Sequence, residues 1–298
     1  MSKELATRYL STCETQRNLS NKTLKAYRID LQQFVEFHGE TQSFSKESIL
    51  EYIEALNAKY KPQPVKRKIA SIRAFLQHLE EEQVIEENPF KRIKLRMRTP
   101  KILPRVIPMS LIEKMLRIAH QDIANMSHRK KAIAIQNALV LELLFSTGMR
   151  VGELCGLSRL DVNIETGTLL IMGKGAKERL LQIGNDKVIK LLKDHCSGCA
   201  YSSSALFINR IGNPISEQSI RTIVKGFARR VDAQMHITPH MFRHSFATAL
   251  LEANVDIRYI QKLLGHSSIM TTQIYTEVST AKHREVLVKC HPRNQMAI

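Results

Sequence analysis

A basic, proline-containing stretch at residues 91–108 constrains the fold of this 298-residue chain more than any other feature. Its prolines forbid a continuous helix there, and they stand at Pro100, Pro104 and Pro108. The first fifteen residues of the stretch carry seven lysines and arginines and no acidic side chain. It is therefore a solvated linker or a linker that lies along phosphate groups, and the net charge favours the second. We divide the chain into a domain of residues 1–98, a linker of residues 99–108 and a domain of residues 109–298.

Before the linker, apolar residues recur at helical spacing. One such run follows a candidate cap at Ser20 or Thr23, and a second covers residues 65–79. The second helix carries basic residues off its apolar stripe, namely Lys66, Arg67, Lys68 and Arg73. Charged residues usually only solvate a helix, but a basic face can also enter a DNA groove. The pattern predicts a small all-helical domain with one basic helix.

After the linker, the periodicity predicts a mainly helical domain with one small antiparallel sheet. A capping box at Ser110–Glu113 opens the domain, and a long helix through residues 134–145 ends at Gly148. The period then changes to two, which predicts three short strands at residues 162–164, 168–172 and 179–183. Helices return after residue 214.

Charge is the strongest signal in the composition. The chain has 45 Lys and Arg against 28 Asp and Glu, a formal net charge of +17, which implies a polyanionic partner such as nucleic acid. No apolar run is long enough to span a membrane, and residues 1–10 do not resemble a secretory signal, so we expect a cytoplasmic, nucleoid-associated protein. Five cysteines do not form a secreted disulfide framework. Cys196 and Cys199 are at most half of a zinc site, so we expect free thiols and no metal.

Four short stretches of the second domain hold polar residues that the fold alone does not require. They place Arg150 and Glu153 after the helix end at Gly148, Lys174 in a Gly-Lys-Gly turn, His240 and Arg243 on one face of a new helix, and finally His266 and Tyr275. Each one also has a purely structural explanation. Arg150 can bond the last carbonyls of the helix, the Gly-Lys-Gly turn can be an ordinary hairpin tip, His240 can be simply exposed and Tyr275 can be a packing residue. Together they form one consistent set of groups.

That set of groups suits phosphoryl transfer without a metal ion. The transition state of a phosphodiester spreads negative charge over its nonbridging oxygens, which guanidinium groups bind bidentately. A tyrosine hydroxyl attacks the phosphorus once a neighbouring group takes up its proton, and a Lys or His must protonate the departing alkoxide. A phosphotyrosine ester keeps the energy of the broken bond, so rejoining needs no nucleotide cofactor.

The order Arg, Lys, His-x-x-Arg, His, Tyr resembles the tyrosine recombinase (phage integrase) family, and most of all its bacterial Xer-type members. The segments TGMRVGEL, GKGAKER, HMFRHSFAT and LGHSSIMTTQIYTEV carry the likeness. The resemblance implies a helical core-binding (SAM-like) domain, a catalytic domain and no cofactor. It further implies double-stranded DNA as substrate and a tetramer on two sites, built from this chain alone or with a second recombinase, and with or without accessory proteins. Residues 276–298 would dock on a neighbouring protomer.

Residue roles follow from the same resemblance. Arg150, Arg243 and His266 would clamp the scissile phosphate, and His240 would bind it or relay the proton of the nucleophile. Tyr275 would form a 3′-phosphotyrosyl bond, and Lys174, or Lys177 in its place, would protonate the leaving oxygen. Glu153 would orient the site. We expect further DNA contacts from a set of basic residues on the helix, the linker and the turn: Lys66, Arg67, Lys68, Arg73, Arg92, Lys94, Arg96, Arg98, Lys177 and Arg179.

Two rival functions remain at the level of the sequence. A topoisomerase would use the same chemistry on a single strand, and a catalytically silent DNA-binding protein would keep the fold alone. The sequence does not distinguish integration, excision and dimer resolution, and it does not identify the target DNA sequence.

Overall fold

The computed structural model of the chain describes residues 2–39, 44–95, 104–173, 178–197 and 203–265, together with Thr272. The side chains of residues 2, 128 and 129 are not described. The chain divides into two compact units, residues 1–101 and residues 102–298. None of the described helices is both long and apolar enough to cross a membrane.

The described part of the first unit contains four helices and a short 3₁₀ turn at Pro89–Arg92. The helices are α1 Ser2–Thr15, α2 Asn21–His38, α3 Lys46–Lys59 and α4 Pro62–Glu81. Ser20 caps α2 by accepting a hydrogen bond from the backbone N–H of Thr23, which decides between the two predicted caps. The apolar faces of the helices enclose one core, in which Phe34, Phe75 and Leu76 are fully buried.

A charged cluster lies inside this helical unit. Asp30 is fully buried and accepts hydrogen bonds from Arg67, from Ser71 Oγ at 2.9 Å and from Lys68 Nζ at 2.9 Å. Lys68 is 4% exposed, and its ammonium also donates to Gln33. The expectation that Lys68 lies off the apolar stripe with the other basic residues is therefore wrong, because its ammonium is the buried counter-charge of Asp30.

The second unit combines helices with a small sheet, one face of which is buried through Leu169, Ile171 and Leu181. Its helices are α5 Met109–Asn125, α6 His128–Thr147, α7 Val151–Gly156, α8 Asp186–Ser197, α9 Glu217–Arg230, α10 Pro239–Glu252 and α11 Ile257–Leu264. The strands are β1 Val162–Asn163, β2 Thr168–Met172 and β3 Glu178–Gln182. They form one antiparallel sheet in the order β1-β2-β3, with Leu169 opposite Leu181. The predicted mainly helical fold with a three-stranded sheet is confirmed.

One local prediction for this unit is wrong, and one helix was missed. Helix α5 begins at Met109 after Pro108, so Ser110 lies inside the first turn and its side chain makes no cap. Helix α8, between the sheet and residue 214, was not predicted. The predicted end of α6 is confirmed, because Gly148 takes the left-handed conformation there at φ +60°.

Candidate active site

Arg150 is placed by the corner between α6 and α7. Gly148 ends α6, and Arg150 is the N-cap of α7. Its backbone N–H donates to Glu153 Oε2 at 2.8 Å, and its Nη1 donates to Glu153 Oε1 at 2.8 Å. The carboxylate thus caps the helix and holds the guanidinium at the same time, while the Arg150 side chain stays 37% exposed. The orienting role of Glu153 stays a prediction, and this contact with Arg150 is the one through which it would act.

His240 and Arg243 are placed by the start of α10. Thr238 is the N-cap residue and Pro239 the first helical residue, as the sequence predicts. Arg243 lies four residues after Pro239, one turn further along the helix, and is 4% exposed. Its Nη1 donates to the carbonyl of Gly148 at 2.8 Å, and its Nη2 donates to the carbonyl of Leu264 at 2.6 Å. Arg243 therefore links the ends of α6 and α11.

The two arginines meet at the end of α11. Gly265 is the left-handed C-cap of α11, at φ +63°. Its carbonyl accepts a hydrogen bond from Arg150 Nη2 at 3.2 Å, next to the Leu264 carbonyl that Arg243 holds. These two carbonyls belong to the residues directly before His266 in the sequence. The structure thus brings Arg150, Glu153, Arg243 and the residues before His266 together.

Arg179 joins this cluster, which the sequence did not predict. Its Nη1 and Nη2 donate to the two oxygens of Glu153 at 2.9 and 2.8 Å, and its side chain is 15% exposed. The expectation of an open DNA contact at Arg179 is at odds with this bidentate pair. The sequence did hold a signal. Arg179 lies two residues before the apolar Leu181, so both side chains fall on the same, buried face of β3.

The cluster shifts the titration of its members. Burial opposes the ionisation of Glu153, but hydrogen bonds from Arg179 and from the Arg150 backbone outweigh it and lower the pKa of Glu153 to about 2. Reduced hydration lowers the pKa of the surface-accessible His240, and the positive charge of Arg243 lowers it further. Burial, with His240 and Arg243 nearby, lowers the pKa of His244 to about 4. At neutral pH the site therefore holds an ionised carboxylate, two guanidinium groups on it and neutral imidazoles.

The remaining predicted site residues fall into three groups. The first group lies outside the described residues: Lys174, Lys177, His266, Tyr275, Arg96 and Arg98, together with Cys199 and the tail 276–298. Lys66, Arg73 and Lys94 are exposed in the helical unit. The side chains of Arg67 and Arg92 are 48% and 70% exposed, and they form ion pairs with Asp30 and Glu87 respectively. Within the described ranges, no three His, Cys, Asp or Glu side chains come together as a metal site would need.

Comparison with known proteins identifies both units. Residues 107–282 match the model of the phage integrase family, and residues 6–83 match the phage integrase N-terminal SAM-like domain. A tyrosine recombinase of Agathobacter rectalis is 46% identical over 294 residues, which cover 96% of this chain and 95% of that protein. Tyrosine recombinase XerD of Halalkalibacterium halodurans is 33% identical, with 96% of each chain covered.

Solved structures agree in fold. The XerH site-specific recombinase bound to a palindromic difH substrate, in its post-cleavage complex, has a TM-score of 0.75 at 23% identity and covers 97% of this chain and 84% of that one. A lambda integrase dimer bound to a COC′ core site has a TM-score of 0.69 at 17% identity, covering 92% and 76% of the two chains. With the family models matching both units and relatives aligned along nearly the whole length, the chain belongs to the tyrosine recombinases of the phage integrase family, and it is of the Xer type.

Proposed function

We propose that this chain is a site-specific DNA recombinase that cuts each strand with Tyr275 and rejoins it without a metal ion or ATP. The observation that carries the proposal is the convergence of Arg150 and Arg243 on the carbonyls of Leu264 and Gly265. Two guanidinium groups held on neighbouring carbonyls, those of the two residues before His266, supply the charge and the planar donors that a phosphodiester transition state needs. Their fixed positions mean that no reorganisation is required when the charge develops.

The proposed reaction uses the other predicted residues in order. The Tyr275 oxygen attacks the scissile phosphorus and forms a 3′-phosphotyrosyl ester, while the bond from phosphorus to the 5′ oxygen breaks. Neutral His240 accepts the phenolic proton or binds the phosphate, which its lowered pKa supports. Lys174, or Lys177, gives the 5′ oxygen its proton, and His266 assists the two arginines. Attack by the 5′ hydroxyl of another strand then reverses these steps and releases Tyr275.

The proposed substrate is double-stranded DNA, bound by both units in the cytoplasm. The net charge of +17 supports it, as do the exposed Lys66, Arg73 and Lys94 and the DNA-bound state of the XerH and lambda integrase complexes. We further propose four protomers on two DNA sites, either of this chain alone or with a second recombinase. Relatives named XerD and XerC align along 96% and 94% of the chain, which supports a partner recombinase of the same length and fold.

The decisive experiment is covalent capture of DNA. The full chain is incubated with fragmented genomic DNA of its own host in EDTA and denatured, and the ends of the protein-linked fragments are sequenced. We expect adducts that resist EDTA, that end at one site and that disappear in Tyr275→Phe. Tyr259→Phe is the matched control, because Tyr259 is 59% exposed on α11 and should keep full adduct formation. Adducts that persist in Tyr275→Phe would refute the proposal. So would wild-type protein that binds DNA but forms no adduct, even on nicked DNA that cannot be rejoined.

Deletion of residues 279–298 tests the proposed assembly. We expect recombination between two sites to be lost while adducts at a single site persist, because the tail is proposed to act only between protomers. Recombination that survives the deletion would exclude the exchange of tails.

A further inference from the structure

We propose that Arg179 is a positioning residue of the cleavage reaction, which acts through Glu153 to keep the charge of Arg150 available to the scissile phosphate. The proposal rests on the proposed function, because it assigns Arg179 a part in that same cleavage. It replaces the expectation that Arg179 binds DNA directly. Three features of the structure carry it: the sharing of one carboxylate, the charge balance and the contact with Gly265.

Glu153 is shared by two guanidinium groups. Oε1 accepts from Arg150 Nη1 at 2.8 Å and from Arg179 Nη1 at 2.9 Å. Oε2 accepts from the Arg150 backbone at 2.8 Å and from Arg179 Nη2 at 2.8 Å. Arg179 alone makes the bidentate side-chain pair, so it is the stronger partner of the carboxylate. Its buried Nε has no acceptor among the residues that the structure describes, so this pair is the polar contact that fixes its side chain.

The charge balance explains why a second arginine is useful. Arg150 paired with Glu153 alone would be a neutral unit, and its attraction for a phosphate would be weak. Arg179 adds one positive charge, so the three side chains together carry +1. The Glu153 side chain is 7% exposed and Arg179 is 15% exposed, so water screens these charges little. Arg150 is more exposed, at 37%, and is the member of the three that a ligand reaches most easily.

Arg179 also contacts the backbone that Arg150 holds. A Cβ built on Gly265 would lie 2.9 Å from Arg179 Nη1 and 3.1 Å from its Cζ, so the guanidinium packs directly against this glycine. The carbonyl of the same glycine accepts from Arg150 Nη2. Arg179 therefore supports both anchors of Arg150, the carboxylate of Glu153 and the backbone of Gly265. A side chain at residue 265 would displace it.

The test compares single-turnover adduct formation on a nicked duplex that carries the site recovered from wild-type adducts. Arg179→Gln keeps a hydrogen-bond donor and removes the charge, and we expect a rate about 10- to 100-fold below wild type with DNA affinity within about threefold. Adding Glu153→Gln to that variant removes the charge that neutralises Arg150, so the double variant should be faster than Arg179→Gln by about threefold or more. A purely structural role for Arg179 predicts the opposite, since a second core substitution would lower the rate further.

Arg230→Gln is the matched control. Arg230 makes the same kind of bidentate pair with Asp122, at 2.7 Å for Nη2, between α9 and α5. The Arg230→Gln variant should form adducts at the wild-type rate. Should Arg179→Gln fail to fold, Arg179→Lys carries the test: it keeps the charge and should stay within about tenfold of wild type.

The outcomes separate this inference from the proposed function. Wild-type adducts together with an undiminished Arg179→Gln rate, or a double variant no faster than the single one, overturn the role of Arg179 alone. A folded Arg179→Lys that loses more than about tenfold overturns the charge argument. Absence of wild-type adducts overturns the proposed function, and this inference with it.

Discussion

Replacing Gly148 by alanine should damage both the fold and the proposed active site. Gly148 ends α6 at φ +60°, a conformation that costs an alanine about 1 kcal/mol more than a glycine. The new Cβ would lie 2.4 Å from Phe246 Cδ1 and 3.0 Å from Leu264 Cδ2, whereas ordinary contacts begin at 3.4 Å. The ring of Phe246 must therefore move by about 1 Å, and such overpacking costs about 1–3 kcal/mol. We expect a total loss of about 2–4 kcal/mol in the free energy of unfolding.

The same substitution should slow DNA cleavage beyond its effect on stability. The Gly148 carbonyl accepts from Arg243 Nη1, and the Leu264 carbonyl next to the clash accepts from Arg243 Nη2. A shift of these acceptors misplaces the guanidinium, and a misplacement of about 1 Å costs on the order of 100-fold in rate. Adduct formation is measured at a temperature where the variant is still folded.

The matched control is Gly156→Ala. Gly156 closes α7, and a Cβ built there meets nothing within 4 Å. Urea unfolding followed by circular dichroism should place it within about 0.5 kcal/mol of wild type. The reasoning fails if Gly148→Ala is as stable as this control, or if it is destabilised but cleaves at the wild-type rate.

Three further predictions follow from buried charge and from titration. Asp30→Asn leaves the Lys68 ammonium buried without its counter-charge and should lower the free energy of unfolding by about 3–5 kcal/mol, measured in urea. The double variant Asp30→Leu with Lys68→Met removes both charges and should lie much closer to wild type. Equal losses in the two variants would contradict this account. The pKa of Glu153 is lowered from 4.5 to about 2, so its ionised form stabilises the fold above pH 4.5 and that stability is lost as the pH falls from 4.5 towards 2. Glu153→Gln should flatten the acid-induced loss of stability in this window, and an unchanged slope between pH 4.5 and 2 would exclude the pairing. The lowered pKa of His240 keeps its imidazole neutral, so its contribution to the rate of single-turnover cleavage should fall only below pH 6.5. A pH–rate profile whose acid limb is centred above pH 6.5, and loses that limb in His240→Gln, would refute the proton-acceptor role.

Local sequence rules predicted the parts of the structure that local physics decides. The end of α6 follows from the freedom of Gly148 to adopt a positive φ, and the start of α10 follows from Thr238 and Pro239. The pairing of β2 with β3 follows from alternation and from the turn between them. The shared face of His240 and Arg243 follows from helical spacing alone.

Pairing between distant residues was not predictable in the same way. Lys68 looks like a surface residue until its partner Asp30, 38 positions earlier, is known. Arg179 looks like a DNA contact until Glu153, 26 positions earlier, is brought to it by β3 and α7. The usable signal in both cases is a charge at an apolar position: Asp30 lies one residue before Leu31, three after Tyr27 and four before Phe34. Such a charge is buried only when another charge meets it, so it predicts that a partner exists without saying which one.

The acceptors that hold the two arginines have different effects on their charge. Arg243 is held by the carbonyls of Gly148 and Leu264, which stand at the ends of α6 and α11, where carbonyl groups have no partner within the helix. Carbonyl groups fix a guanidinium without cancelling its charge, whereas the Glu153 carboxylate would cancel that of Arg150. A second arginine is therefore needed at Glu153 and not at Gly148, and the structure places Arg179 there. Because both guanidinium groups thereby keep their charge, the site can attract a phosphodiester with two positive charges, while the Glu153 carboxylate and the carbonyls of Gly148 and Leu264 all accept hydrogen bonds.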